Sequence, residues 1–239
     1  MDAALKRPIK TLPFAEAGTE DVLVEVRRMT WDHVNVWHSL VQPIINANFR
    51  HWHSGIAPGD ARADVGWDWG FNYALALLHN AATYVPGNAS GPALAMAVTV
   101  ATVEGREIPI GMLTVVPQFQ STVERQAAQR SFAWYLADAP KAFYTDVLGA
   151  VPVKGVASAL LDCAVQSGFD AGGSGDTLLH ADPHGGEKLQ EFYVQRCGMR
   201  QVGIDNGPIS LFRRRHTDQY FHMDAPTASG FSQRFDARR

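Results

Sequence analysis

Three stretches of this sequence place together residue types that could do chemistry. Pro152-Val153-Lys154-Gly155-Val156-Ala157-Ser158 sets small residues where a helical pattern begins. The first N–H groups of a helix have no intrahelical partner and carry the positive end of its dipole, so such a start can hold an anion. The N–H groups of Gly155, Val156, Ala157 and Ser158 could cradle a phosphate; the plainer alternative is that these residues only let the helix pack close on a sheet. Further on, Glu191-Phe192-Tyr193 sets two adjacent aromatics near the end of a second helix. A helix buries one of such a pair more easily than both, so one should face a cleft, and the Tyr193 phenol could supply a proton there or simply be core. All tryptophans but Trp134 fall between positions 31 and 69. Trp31, Trp67 and Trp69 with Asp68 could form an aromatic, acidic pocket for a cationic amine, or divide between core and surface. His51-Trp52-His53 lacks a Cys or carboxylate partner at ligand spacing, so no metal site is expected. Arg213-Arg214-Arg215 reads as solvated surface.

The elements that must position these residues follow from periodicity. Val22, Val24 and Val26 alternate with Glu25 and Arg27, which makes a strand with one wet face. Thr30 then caps a helix over 31–49, with apolar residues at helical spacing and Pro43 as a kink. Residues 50–66 read as loop, and a short apolar helix covers 71–80. A hairpin follows, with strands over 94–103 and 108–116 turning at Glu104-Gly105-Arg106-Glu107. Residues 117–130 read as a weak helix or a loop, and 131–137 as a strand. The anion-site helix runs over 155–167, a strand over 177–181, the phenol-bearing helix over 186–197, and two strands over 200–204 and 209–213. The order implies a mixed sheet with helices on both faces. Residues 1–20 are expected as a lead-in, 21–215 as one domain, and 216–239, which lack any period, as a mobile or docked tail.

Bulk properties narrow the function classes. The chain has 239 residues, 46% hydrophobic and 19% charged, which is ample for a core. A net charge of −3 gives no general attraction to nucleic acid or acidic membranes. No apolar run reaches the ~18–20 residues of a membrane span, and the first residues lack the apolar core of a signal peptide. Cys163 and Cys197 read as buried reduced thiols. These features together lead us to expect a cytoplasmic protein.

The same segments, in this order, resemble the GCN5-related N-acetyltransferase (GNAT) superfamily. Residues 24–32, VEVRRMTWD, look like the family's first strand entering its first helix. EGREIPIGML at 104–113 looks like its glycine-bearing third strand. GVASALL at 155–161 looks like the acyl-CoA pyrophosphate loop and helix, and Phe192-Tyr193 with Cys197-Gly198-Met199 looks like its Phe-Tyr…Gly-Phe ending. The resemblance spans most of 22–213. It implies a GNAT-like α/β fold with a mixed, largely antiparallel central sheet and helices on both faces. It also implies an acyl-CoA-dependent N-acyltransferase, with acetyl-CoA as co-substrate and a primary amine on a small molecule or protein as acceptor. The pyrophosphate would lie on Lys154, Gly155, Val156, Ala157 and Ser158, and the pantetheine arm along the backbone of Tyr135, Leu136 and Ala137. Tyr193 would serve the leaving thiolate. Asp138, His180 or a water chain would take the ammonium proton, and Trp31, Trp67, Asp68 and Trp69 would face the acceptor. Two departures stand out. Pro152 occupies the place of the family's Gln or Arg, leaving Lys154 or Ser158 to substitute. Gly186 falls where an asparagine is usual. The rival reading is a GNAT-like module that binds a ligand or protein without catalysis. The tail is long enough to cross to a second subunit, which leaves a homodimer open.

Overall fold

The computed structural model describes residues 4–16, 21–49, 62–85, 90–203, 206–208 and 220–239. The chain begins with β1 (Thr11–Leu12), β2 (Val22–Leu23) and β3 (Glu25–Arg28). Thr30 then starts α1 (Trp31–Val36) through a capping box: its hydroxyl accepts from the His33 N–H, and its own N–H donates to His33 Nδ1. A π-helical stretch, Trp37–Val41, leads into α2 (Gln42–Asn48), which has Pro43 in its first turn. Helix α3 (Trp69–Ala82) is capped by the Asp68 carboxylate, which accepts from the Phe71 N–H at 3.0 Å. Three strands follow: β4 (Leu94–Ala101), β5 (Glu107–Val123) and β6 (Gln126–Asp138). Then come α4 (Lys141–Phe143), a π-helical stretch Tyr144–Leu148, α5 (Val156–Asp170) and β7 (Thr177–His180). Helix α6 (Gly186–Glu191) continues as π-helix through Phe192–Arg196. The chain closes with β8 (Arg200–Val202), β9 (Gly207–Pro208), β10 (Tyr220–Met223) and α7 (Ala225–Gln233).

Among the described residues, eight strands form one sheet in the order β3-β4-β5-β6-β7-β10-β8, with β9 beside the far end of β5. Every pairing is antiparallel except β6 with β7. This is the mixed, largely antiparallel sheet expected for the GNAT-like class. Alternation along β6 assigns the two layers. The Ser131 hydroxyl donates to the Ala164 carbonyl of α5 at 2.7 Å, whereas Trp134 on the opposite face meets His79 of α3 edge-on at 5.0 Å. Helix α5 sits so close to the sheet that a Cβ at Gly111 would lie 2.7 Å from Val156 and 3.0 Å from Leu160. The core is continuous across the α5 face and includes Phe143, Leu160, Leu161, Phe221 and Phe231, all nearly inaccessible to water.

One expectation gives way and another narrows. Residues 117–130 are neither helix nor loop but the outer arms of the β5–β6 hairpin, paired out to Val123↔Gln126. Their polarity reflects two solvent-facing arms, and the turn residues Glu124 and Arg125 take positive φ (49° and 67°) without the glycine that usually signals such a turn. Of the 216–239 segment, expected as a mobile or docked tail, the described residues 220–239 are docked and not mobile. Tyr220–Met223 is inserted between β7 and β8, and α7 packs on α5. The strand expected over 209–213 lies outside the described residues. A four-residue buried strand has no room for a visible period, which is why Tyr220-Phe221-His222-Met223 read as irregular.

The lead-in is also built in. Leu5, Ile9 and Leu12 are buried. Ala15 N–H donates to the Pro152 carbonyl at 2.7 Å, and Lys154 N–H to the Pro13 carbonyl at 2.8 Å. These bonds hold the approach to α5 in place.

Candidate active site

The parallel pairing of β6 with β7 runs only from Ser131↔Thr177 to Ala133↔Leu179. Beyond that point β6 continues to Asp138, held by β5 alone on its other side. The cause is local. Thr114 pairs with Tyr135 and Val115 with Ala133, so Trp134 is an extra residue and β6 bulges there. A bulge bends its strand and increases twist, which turns Tyr135, Leu136, Ala137 and Asp138 away from β7. The fork opens a cleft of about 810 Å³ that passes between the strands and is lined from both faces of the sheet.

On the α5 face, Gly155, Ala157 and Ser158 line the cleft. Gly155 ends the approach segment in the left-handed region (φ 79°), and a Cβ there would meet nothing within 4 Å, so the space in front of the helix start is open. Its carbonyl accepts from Ala159 N–H at 2.8 Å, which opens the first turn of α5. These residues fit a phosphate. The Val156 side chain is buried toward the sheet, and its N–H, the group expected to serve, stays at the helix start. One expected ligand does not line the cleft. Lys154 is exposed, does not line the cleft, and has its N–H engaged by Pro13. Ser158 is therefore the side chain at hand where Pro152 offers none.

Tyr193 lies on the same face, within the π-helical stretch, with its ring 5.3 Å from that of Phe221, whose strand position pairs with Leu179 at the fork. It lines the cleft. Burial pushes the phenol well above its ordinary value, with smaller contributions from Cys197, Asp138 and Asp64. It is thus a standing hydrogen-bond donor rather than a strong acid. Phe192 lines the cleft as well, so the adjacent aromatics do not divide as the sequence suggests.

On the α3 face, His180 lies one residue beyond the last paired position, with its ring 4.9 Å from Tyr220. Tyr220 and His180 are cross-strand partners and share this face with Phe132 and Leu178. Trp67 stands edge-on to Tyr135 at 5.1 Å and lines the cleft. The other acceptor candidates stand elsewhere. Trp69 is fully buried between Trp37 and Trp67, because it begins a helix that must pack on α1 and its π-helical continuation. Asp68 is spent as the α3 cap, with His38 nearby at 3.6 Å. Trp31 is exposed against Tyr73 and outside the cleft lining.

Asp138 is bound into a cluster that sequence reasoning did not find. Arg62 grips Asp64 through two bonds of 2.8 and 2.7 Å, donates to the Asp138 carbonyl at 2.6 Å, and reaches its carboxylate at 3.2 Å. Burial works against the Arg62 charge, but Asp64 and Asp138 outweigh it and hold the guanidinium above its ordinary value. Burial likewise pushes Asp138 up, opposed by Arg62 and reinforced by Asp64. Its carboxylate lines the cleft and is 38% exposed, so water moderates that shift. The neighbouring Tyr144 hydroxyl is buried with no partner among the described residues, and burial followed by Asp138 pushes it up.

No family model matches the chain, and no curated relative matches it. Two solved structures show a distant similarity to it. One is the crystal structure of an acetyltransferase of the GNAT family from Staphylococcus aureus Mu50, with a TM-score of 0.46 and 10% identity, covering 84% of this chain and 99% of that one. The other is the KacTA–DNA complex, with a TM-score of 0.37 and 13% identity, covering 71% of this chain and 89% of that one. At those levels no residue role passes from either to this chain.

His51 and His53 lie outside the described residues, as do Arg213, Arg214 and Arg215. Among the described residues no three metal-binding side chains cluster, and no helix is long and apolar enough to cross a membrane. Arg62 and Asp64 were missed because they sit in a segment that reads only as loop. Trp134 had a usable signal: Phe132 and Trp134 alternate with Ala133, and Tyr135 then breaks the alternation, as a bulge does.

Proposed function

We propose that the protein is an acyl-CoA-dependent N-acyltransferase, with acetyl-CoA the natural first donor to test, acting on a primary amine by direct attack. The observation that carries this reading is the fork between β6 and β7. It joins an open helix start on one face of the sheet to a separate chamber on the other, so two substrates can meet at its apex from opposite sides. The α5 N–H groups at Gly155, Val156, Ala157 and Ser158 would receive the pyrophosphate. The freed edge of β6 at Tyr135, Leu136 and Ala137 offers N–H and C=O groups to an extended amide-bearing arm. Acetyl-CoA supplies an activated acyl group and a thiolate as leaving group.

The chain's own residues divide the proton work by face. Tyr193, beside the apex on the α5 face, donates a hydrogen bond to the departing sulfur. His180, beside the apex on the α3 face, is the better placed of the two base candidates. Asp138 is held by Arg62, and its charge acts on Tyr193. It is assigned to shaping the cleft mouth. A colorimetric assay of free thiol, run with acetyl-CoA and a panel of primary amines, tests the reading. Amine-dependent thiol release is expected. Binding of CoA with no release across the panel would instead favour the non-catalytic module, which the engaged Lys154 N–H and Pro152 also suit.

A further inference from the structure

The α3-face end of the cleft has a distinct chemistry. Its walls are Phe119, Phe132, Trp134, Tyr220, Leu75 and Leu78. Phe119 stacks on Phe132 with centroids 5.3 Å apart, and Trp134 stands edge-on to Phe119 at 6.1 Å. His79, which closes on Trp134, is anchored through Nε2 to the Gly91 carbonyl at 2.9 Å. The bulge at Trp134 is therefore both what opens the fork and what presents an indole to the chamber. Leu78 lines the rim and is 67% exposed, an unusual position for a leucine that serves only the core.

We infer that this chamber selects an acceptor amine carrying an aromatic or bulky aliphatic group, with the amine directed toward His180 and the apex. The inference rests on the acyltransferase reading and names its substrate class. Aromatic walls stabilise an apolar group by removing its surface from water, and they hold a nearby cation against ring faces. A polyamine or sugar would lose hydration there without matching partners. A long acyl chain has the same apolar chemistry and could come from the donor instead. The faces argue for the amine. The chamber lies across the sheet from the α5 helix start and Tyr193, and it contains an imidazole, which an ammonium needs and an acyl chain does not.

The test separates these cases. Acetyl-CoA binding is first measured by calorimetry; its absence would overturn this inference together with the reading beneath it. With binding established, kcat/KM is compared for phenethylamine, tryptamine, n-butylamine, ethanolamine and spermidine, and then for acetyl-CoA against octanoyl-CoA. The expected result is a preference of tenfold or more for the two arylalkylamines over n-butylamine and ethanolamine, with acetyl-CoA at least as good a donor as octanoyl-CoA. In calorimetry with CoA present, phenethylamine should bind at least tenfold more tightly than n-butylamine, a readout independent of turnover. Trp134→Ala should reduce kcat/KM for the two arylalkylamines by tenfold or more relative to its effect on n-butylamine. Leu78→Lys, at an exposed rim position that the fold does not need, should act in the same direction if Trp134→Ala fails to fold. Equal use of all amines would overturn the inference. So would a gain with octanoyl-CoA that is blind to the amine, which would assign the chamber to the acyl chain.

Discussion

Tyr193 and the two cysteines show what burial does to single groups. The Tyr193 phenol is held protonated, so its role is donation of a hydrogen bond to developing charge on sulfur. Tyr193→Phe should lower kcat by about 10²-fold and leave the CoA Kd unchanged in calorimetry. Unchanged kcat would remove it from the reaction. Cys197 is pushed up to about 12 by burial, and burial moves Cys163 the same way. Both are free and buried, so Ellman's reagent at pH 8 should modify the native protein slowly and the denatured protein fully. The pH consequence has a definite sign. The fold favours the protonated thiol, whereas the unfolded chain loses that proton near ~8.5. The stability contribution is complete below about pH 8.5 and is lost as pH rises toward the folded value. At pH 9.5 each thiol should cost about 1 kcal/mol, read as a fall in Tm that a Cys163→Ala/Cys197→Ala variant lacks.

Elements decide whether such groups meet. The start of α5 was legible in the sequence because glycine and small residues before an apolar period have few other uses. Its fork was not, because a splay depends on which strands pair and where the pairing stops. Gly111 is the point at which α5 and the sheet depend on each other. A Cβ there collides with the stiff Val156 side chain one residue into the helix. Gly111→Ala should therefore destabilise the protein by about 1–3 kcal/mol in urea titration and weaken CoA binding by displacing the helix start. An unchanged Kd would mean that the α5 N–H groups do not hold the cofactor. The Arg62 cluster belongs to the same scale. Its arginine and first aspartate come from a loop and its second aspartate from a strand end, and no local period connects them.

Across the whole molecule, both ends of the described chain close on α5. Asp162, fully buried in that helix, receives the Ser232 hydroxyl of α7 and the Arg239 guanidinium at 2.9 Å. Arg239 also donates to the Arg7 carbonyl, and Lys10 N–H donates to the Arg238 carbonyl, both at 2.7 Å. Arg239→Ala leaves a buried carboxylate short of its cation and should cost about 3 kcal/mol. Asp162→Asn in the same chain should recover part of it, as seen in paired urea melts. A chain ending at residue 219 should fail to fold, since it lacks the strand between β7 and β8. Sequence patterning conveyed the fold class and the order of the main elements from β3 to β8, though not β1, α4 or the outer arms of the β5–β6 hairpin. It could not convey this closure, because the contacts join residues from 70 to 232 positions apart and leave no local period.

The most direct test of the acyl-CoA site is isothermal titration of the full chain with acetyl-CoA and with CoA. If the helix start and the freed β6 edge receive the cofactor, both should bind at one site per chain with micromolar Kd, and Gly111→Ala should bind more weakly. No heat of binding from either up to high micromolar concentration would contradict the assignment.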